Sequence, residues 1–196
     1  MKANVNGADI FYQKTGEGHP LILLHGNGLD HSIFDELSAK LSKHYTVYAM
    51  DSRNHGQSGM ADDYSYDAMV EDVFAFIRKL GLEKVRVLGF SDGAVISLLL
   101  ALRHEECVEK MALLGVNLKP EDFTDECLGW LEEQFAETKD PLFKLMLEEP
   151  NIDIEELRGI SRPVLVIAAE KELYKPELYP NIVKRLQNGC FLLMEG

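Results

Sequence analysis

The chain of 196 residues is poor in cysteine, in positive charge and in long apolar runs, and each shortage removes a class of protein. Its three cysteines, Cys107, Cys127 and Cys190, are odd in number, scattered, and never form a Cys-x-x-Cys pair. That excludes a disulfide framework and a cysteine-rich zinc site, and it predicts a reduced, cytoplasmic protein. No metal and no cofactor is expected. Lysine and arginine number 20 against 33 aspartates and glutamates, a formal charge of -13. Such a surface repels phosphate backbones and anionic lipids, so neither nucleic acid nor membrane is expected as a partner. No apolar run is long enough to span a bilayer. The opening "MKANVNGADIFYQKTG" lacks the apolar core of a secretory signal. Internal repeats and low-complexity tracts are missing too. One further shortage is positional: there are six histidines, and none follows His104.

What remains is an ordinary globular composition, 46% hydrophobic and 27% charged, long enough for one domain with a proper core. "ANVNGADIFYQKTG" reads as an antiparallel hairpin turning at Asn6-Gly7. "PLILLHGNG" is a short apolar burst ending in glycines, the pattern of a strand buried on both faces. "SIFDELSAKLSK" follows as a helix, with Ser32 as the expected cap. "TVYAMDSRNHGQSG" is a strand running into a polar loop. "SYDAMVEDVFAFIRKLGL" is an amphipathic helix with Val70, Val73, Phe74, Ile77 and Leu80 on one face, ended by Gly81. After the strand "KVRVLGF", the helix "GAVISLLLALRH" is apolar nearly all round, which predicts a buried central helix. "CVEKMALLGV", "RPVLVIAA" and "CFLLME" are further strands, with the helix "PELYPNIVKRLQNG" before the last. Strands alternating with helices behind a first hairpin predict a mostly parallel α/β sheet with helices on both faces. Residues 117–158 break the alternation. They are acidic, carry no strand signal, and are expected to form a short helical lid set into a core of residues 1–116 and 159–196; plain crossover helices are the alternative.

The chemistry gathers at Gly89-Phe90-Ser91-Asp92-Gly93, between a strand and a helix. A nucleophile on so tight a turn adopts a strained backbone, and the residues two before and two after it crowd each other, so both must be small. The turn aims the Ser91 hydroxyl into the crevice at the strand ends. It also sets backbone N–H groups at a helix N-terminus, where developing negative charge is favoured. "LLHGNG" at 23–28 is a second loop able to offer such a donor. The expected oxyanion hole is the N–H of Asn27 with that of Asp92. A merely tight structural turn is the alternative for Ser91. His25 is expected to hold its loop rather than to do chemistry.

These motifs together resemble the α/β-hydrolase superfamily over nearly the whole chain. The resemblance rests on "HGNG", on "DSRNHGQS" at 51–58, on "GFSDGA" at 89–94, and on "RPVLVIAAEKEL" at 162–173. "DSRNHGQS" looks like the family's Asp-x-Arg-Gly-x-Gly-x-Ser loop with Asn54 where glycine is usual; as a structural loop it gives His55 no catalytic role. The family orders its triad as serine, acid, histidine. The resemblance implies Glu172 as the acid, with Glu170 the weaker candidate, since either carboxylate type can orient an imidazolium.

The family's histidine loop and last helix should follow "CFLLMEG", where the sequence stops. His31 is the best placed substitute, and it enters from the oxyanion side; His104 is expected far from Ser91. The expectation is a truncated form of a longer hydrolase, with a naturally short and crippled member as the alternative. The uncovered sheet face is then expected to lower stability or drive self-association. The resemblance implies a hydrolase of small carboxylic esters or thioesters working through an acyl-enzyme on Ser91, impaired here. Acyl transfer and carbon–carbon bond hydrolysis are possible on the same elbow. A hydrolase fold that binds a ligand without turning it over is the second reading.

Overall fold

A computed structural model describes Met1–Glu195. Its spine is an eight-stranded sheet in the order β1-β2-β4-β3-β5-β6-β7-β8. The first strands, β1 (Lys2–Val5) and β2 (Ala8–Thr15), form the expected hairpin. Asn6 and Gly7 both take positive φ, 48° and 80°, as a tight two-residue turn requires. β2 runs antiparallel to β4 (Tyr45–Met50). From β4 onward every pairing is parallel, through β3 (His19–Leu24), β5 (Val85–Phe90), β6 (Val108–Leu114), β7 (Val164–Ala169) and β8 (Gly189–Met194).

Chain direction decides where a site can form. From β3 the chain moves to β4 on one side, and from β5 to β6 on the other. The crevice beyond the carboxyl ends of β3 and β5 is therefore the topological switch point, where open α/β sheets bind ligands. "HGNG" leaves β3 there, and Ser91 leaves β5 there.

The helices divide unequally. α2 (Tyr66–Lys79), α3 (Asp92–Arg103) and α6 (Leu178–Arg185) cover one face of the sheet and share its main core. α3 buries ten of its twelve residues, the central helix that its all-round apolar sequence predicts. On the opposite face, α1 (Asp35–Leu41) seals a small cluster of Leu21, Leu23, Phe34, Val47 and Ala49. Residues 117–158 hold α4 (Asp125–Thr138), α5 (Pro141–Glu148), a short tight turn at Pro120–Asp122 and most of a second at Ile154–Gly159.

One expectation needs correction. Ser32 does not cap α1. Asp30 caps a single tight turn over His31–Phe34, its carboxylate accepting from the Ser32 N–H at 2.8 Å, and α1 begins only at Asp35. An aspartate two residues earlier reaches the free N–H groups first and carries the charge that suits a helix start.

Candidate active site

The elbow is strained, and the neighbouring backbone holds it there. Ser91 has φ 53° and ψ -118°, outside the ordinary regions for a residue with a side chain. Its N–H donates to the Leu114 carbonyl at 2.8 Å, and its carbonyl accepts from Ala94 and Val95 at 2.8 and 3.1 Å. A Cβ on Gly89 would strike the Gly93 carbonyl, and a Cβ on Gly93 would strike that of Leu24. The two glycines are thus required by contact with each other and with β3.

The "HGNG" loop closes on the serine. A Cβ built on Gly26 would stand 3.0 Å from the Ser91 Cβ, so only glycine lets the loop run this close. The Asn27 and Asp92 residues meet across the gap, with Asn27 Nδ2 donating to Asp92 Oδ2 at 3.0 Å. The Asp92 N–H lies in the first turn of α3, where no carbonyl of the helix can receive it. Asn27 N–H has no backbone acceptor among the described residues. The Asp92 carboxyl is buried, and burial raises its pKa against the opposing hydrogen bonds from Tyr66 and Asn27.

Ser91 and Glu172 line one cavity of about 330 Å³, together with Phe90, Leu114, Ile167 and Tyr174. Glu172 is fixed by its own loop, accepting from the Ala169 N–H at 2.7 Å. Glu170 is exposed and lines the neighbouring cavity of about 550 Å³ instead. Sequence reasoning missed Tyr174. Its ring is buried, and it lines the cavity beside Ser91. Burial pushes the phenol pKa up, so it stays protonated and serves as a hydrogen-bonding group rather than a base. A backbone bridge to Phe123 places it, a pairing no local pattern announces.

The histidines stand away from this cavity, most of them engaged elsewhere. His25 is buried, with Nδ1–H donated to the Gly26 carbonyl at 2.8 Å and Nε2 accepting from the Ser52 N–H at 3.0 Å. Burial lowers its pKa to about 4, so the ring is neutral, with both nitrogens committed. His31 binds Asp51 through Nδ1 at 2.7 Å and packs on Phe11. His55 donates Nδ1–H to the Arg53 carbonyl at 2.9 Å. His104 stacks on Phe74 at 3.7 Å and reaches Glu71. His19 faces Glu109, and His44 is exposed. None of the six lines the Ser91 cavity among the described residues.

Asp30, His31 and Asp51 bring three potential metal-ligand atoms within 4.8 Å of one another. The same residues are tied together by hydrogen bonds. Asp51 accepts from His31 N–H and Nδ1 and from the Gln57 N–H, and Asp30 accepts from Ser32. The cluster ties "DSRNHGQS" to the first helical turn. Asn54 takes φ 64° in that loop, a conformation asparagine tolerates where glycine is usual.

Known proteins share this fold. A family profile described as "alpha/beta hydrolase fold" matches residues 19–143, more than half of the chain. The chain belongs to the α/β-hydrolase family. The human protein "Serine hydrolase BPHL" is 35% identical over 228 aligned positions, covering 100% of this chain and 78% of that one. "Ethanol acetyltransferase 1" of Cyberlindnera jadinii is 33% identical over 146 residues, covering 68% of this α/β hydrolase and 43% of the relative. The chain thus spans less than two thirds of some of the curated relatives it matches. Among solved structures, the enol-lactonase from Burkholderia xenovorans LB400 has a TM-score of 0.83 at 22% identity. It covers 99% of this chain and 91% of its own, a likeness of fold. No helix of the described residues is long and apolar enough to cross a membrane.

Proposed function

We propose that this α/β hydrolase acts on small carboxylic esters or thioesters through an acyl-enzyme on Ser91. The observation that carries the reading is the strained elbow, which holds Ser91 at a cavity of about 330 Å³ with the Gly26 loop pressed against it. Ser91 Oγ adds to the carbonyl carbon, and the carbonyl oxygen takes up the displaced electron pair. The N–H groups of Asn27 and Asp92 donate to that oxyanion. Collapse breaks the bond to the leaving group, which takes the Ser91 hydroxyl proton and departs as the alcohol or thiol, leaving the acyl group on Ser91. Water then releases the acid and restores the serine. The name of the Cyberlindnera relative suggests an alcohol as an alternative acceptor, which would make the second half acyl transfer.

Glu172 fits the acid position, fixed in its loop on the same cavity. The proton of Ser91 needs a base, and no imidazole of these residues faces it. Turnover by this chain is therefore impaired, retaining only what the donors and binding supply, on the order of 10³–10⁴ over water in triad enzymes. The missing imidazole also motivates a second reading, a fold that binds an ester-like ligand without cleaving it.

A fluorophosphonate probe separates the two. The expected result is slow labelling that peptide mass spectrometry maps to Ser91, together with weak hydrolysis of a p-nitrophenyl ester. Both should vanish in Ser91→Ala. Labelling at another residue, or equal turnover in the variant, would remove the acyl-enzyme reading.

A further inference from the structure

The Asn27 side chain makes two contacts that the oxyanion role, a backbone role, does not use. Its Nδ2 donates to Asp92 Oδ2 at 3.0 Å and to the Leu142 carbonyl at 3.2 Å. The Leu142 carbonyl can only accept, which fixes the amide with its nitrogen toward both partners. One partner is the first residue of α3, immediately after Ser91. The other lies in the first turn of α5, 115 positions along the chain. A single side chain therefore joins three elements: the loop after β3, the elbow, and the helix pair of residues 117–158.

The far end of each contact is held as well. Asp92 is buried in the first turn of α3. At α5, Asp140 caps the helix through the Leu142 N–H at 2.9 Å, so Leu142 is held at both its N–H and its carbonyl. Phe143 next to it meets Trp130 of α4 edge-on at 5.7 Å. Displacing α5 from Asn27 would carry the α4–α5 pair with it, and would leave the Asp92 carboxyl short of a partner in a buried setting.

We propose that the Asn27 side chain is a latch: it fastens α5 to the elbow, so that the seating of residues 117–158 and the alignment of the two oxyanion donors are set by one amide. Its kinetic consequence rests on the Ser91 reading above; the latch itself does not. Asn27 is thereby a positioning residue through its side chain, distinct from what its backbone N–H does.

The test exploits that separation, because Asn27→Ala keeps the backbone N–H and removes only the latch. Asn27→Asp keeps the shape, replaces both donors with acceptors, and serves where the alanine variant folds poorly. Amide hydrogen exchange and acrylamide quenching of Trp130, the single tryptophan, report on α4 and α5 without any turnover. The expected result is α5 exchange roughly tenfold faster in both variants, with Trp130 more quenchable and α2 unchanged. If ester turnover is measurable, kcat should fall about tenfold with KM little altered, since donor alignment acts in the transition state. Unchanged α5 exchange in Asn27→Ala would overturn the latch. So would loosening by alanine but not by aspartate, which would make the contact one of shape. Faster exchange in a chain with no turnover would uphold the latch and count only against the Ser91 reading.

Discussion

His25 shows how a residue beside a reactive serine can be structural in every atom. Its two nitrogens clamp the loop after β3 to the loop after β4, through Gly26 and Ser52. A charged ring would need a second donor proton where the Ser52 N–H already points, and burial makes that charge costly. The pKa falls from 6.5 to about 4 for this reason. The unfolded chain then takes up a proton below pH 6.5 while the folded one does not. Stability from this group is complete above pH 6.5, declines as pH falls toward 4, and levels off below that. The drop corresponds to about 3 kcal/mol. Urea unfolding of the wild type and of His25→Asn at several pH values measures it as the difference between their slopes. Parallel curves across that window would show that the ring carries no linked proton.

At the scale of elements, alternation was legible because it is local. β5 and β7 are apolar through most of their length, and α3 is apolar all round, as buried elements must be. The elbow was legible for the same reason, since its glycines and serine lie within five residues. What escaped depends on distant partners. Ser32 is the exception, a local choice between two capping residues that Asp30 wins by standing two positions earlier. Tyr174 reaches the Ser91 cavity through a bridge to Phe123, and Asn27 reaches Leu142 across most of the chain. α2 shows both sides of this. Its periodic stripe correctly placed Val70, Val73 and Ile77 in the core, while Phe74 turned out half-buried against His104. Asp72, a buried acid on the same helix, found its partner in the loop after β4. Arg53 grips it in a fork, Nε to Oδ2 at 2.7 Å and Nη2 to Oδ1 at 2.8 Å, and Asn6 of the hairpin turn adds a third bond. This joins helix, loop and hairpin, and it leaves Arg53 buried if the acid is removed. Asp72→Ala should cost about 3–5 kcal/mol in urea unfolding, because the guanidinium would lose its countercharge. A loss no larger than about 1 kcal/mol would class the pair with exposed ion pairs.

For the whole molecule, the distribution of helices among the described residues carries an expectation for its behaviour in solution. Phe90, Leu114, Ile167 and Leu192 stand side by side in register across β5, β6, β7 and β8, on the face that α1 covers only at its far end. Leu192 is 47% exposed and Met194 52%. Among the described residues β8 is also the sheet's edge strand, with a row of backbone donors and acceptors beside these side chains. A contiguous apolar face meeting an unprotected edge is the combination that draws a second copy of the same chain, because two-fold pairing of β8 with β8 would extend the sheet and bury both rows. Self-association that strengthens with concentration is the expected behaviour in analytical ultracentrifugation. Leu192→Lys should weaken it by roughly tenfold or more, since a lysine on an edge strand cannot be buried against its own copy without stranding two charges. Leu192 lies outside the lining of the Ser91 cavity, so labelling of Ser91 by a fluorophosphonate should survive the substitution. A wild-type chain that stays monomeric at every accessible concentration would mean that this face is not a contact between copies, and the lysine variant would then sediment identically.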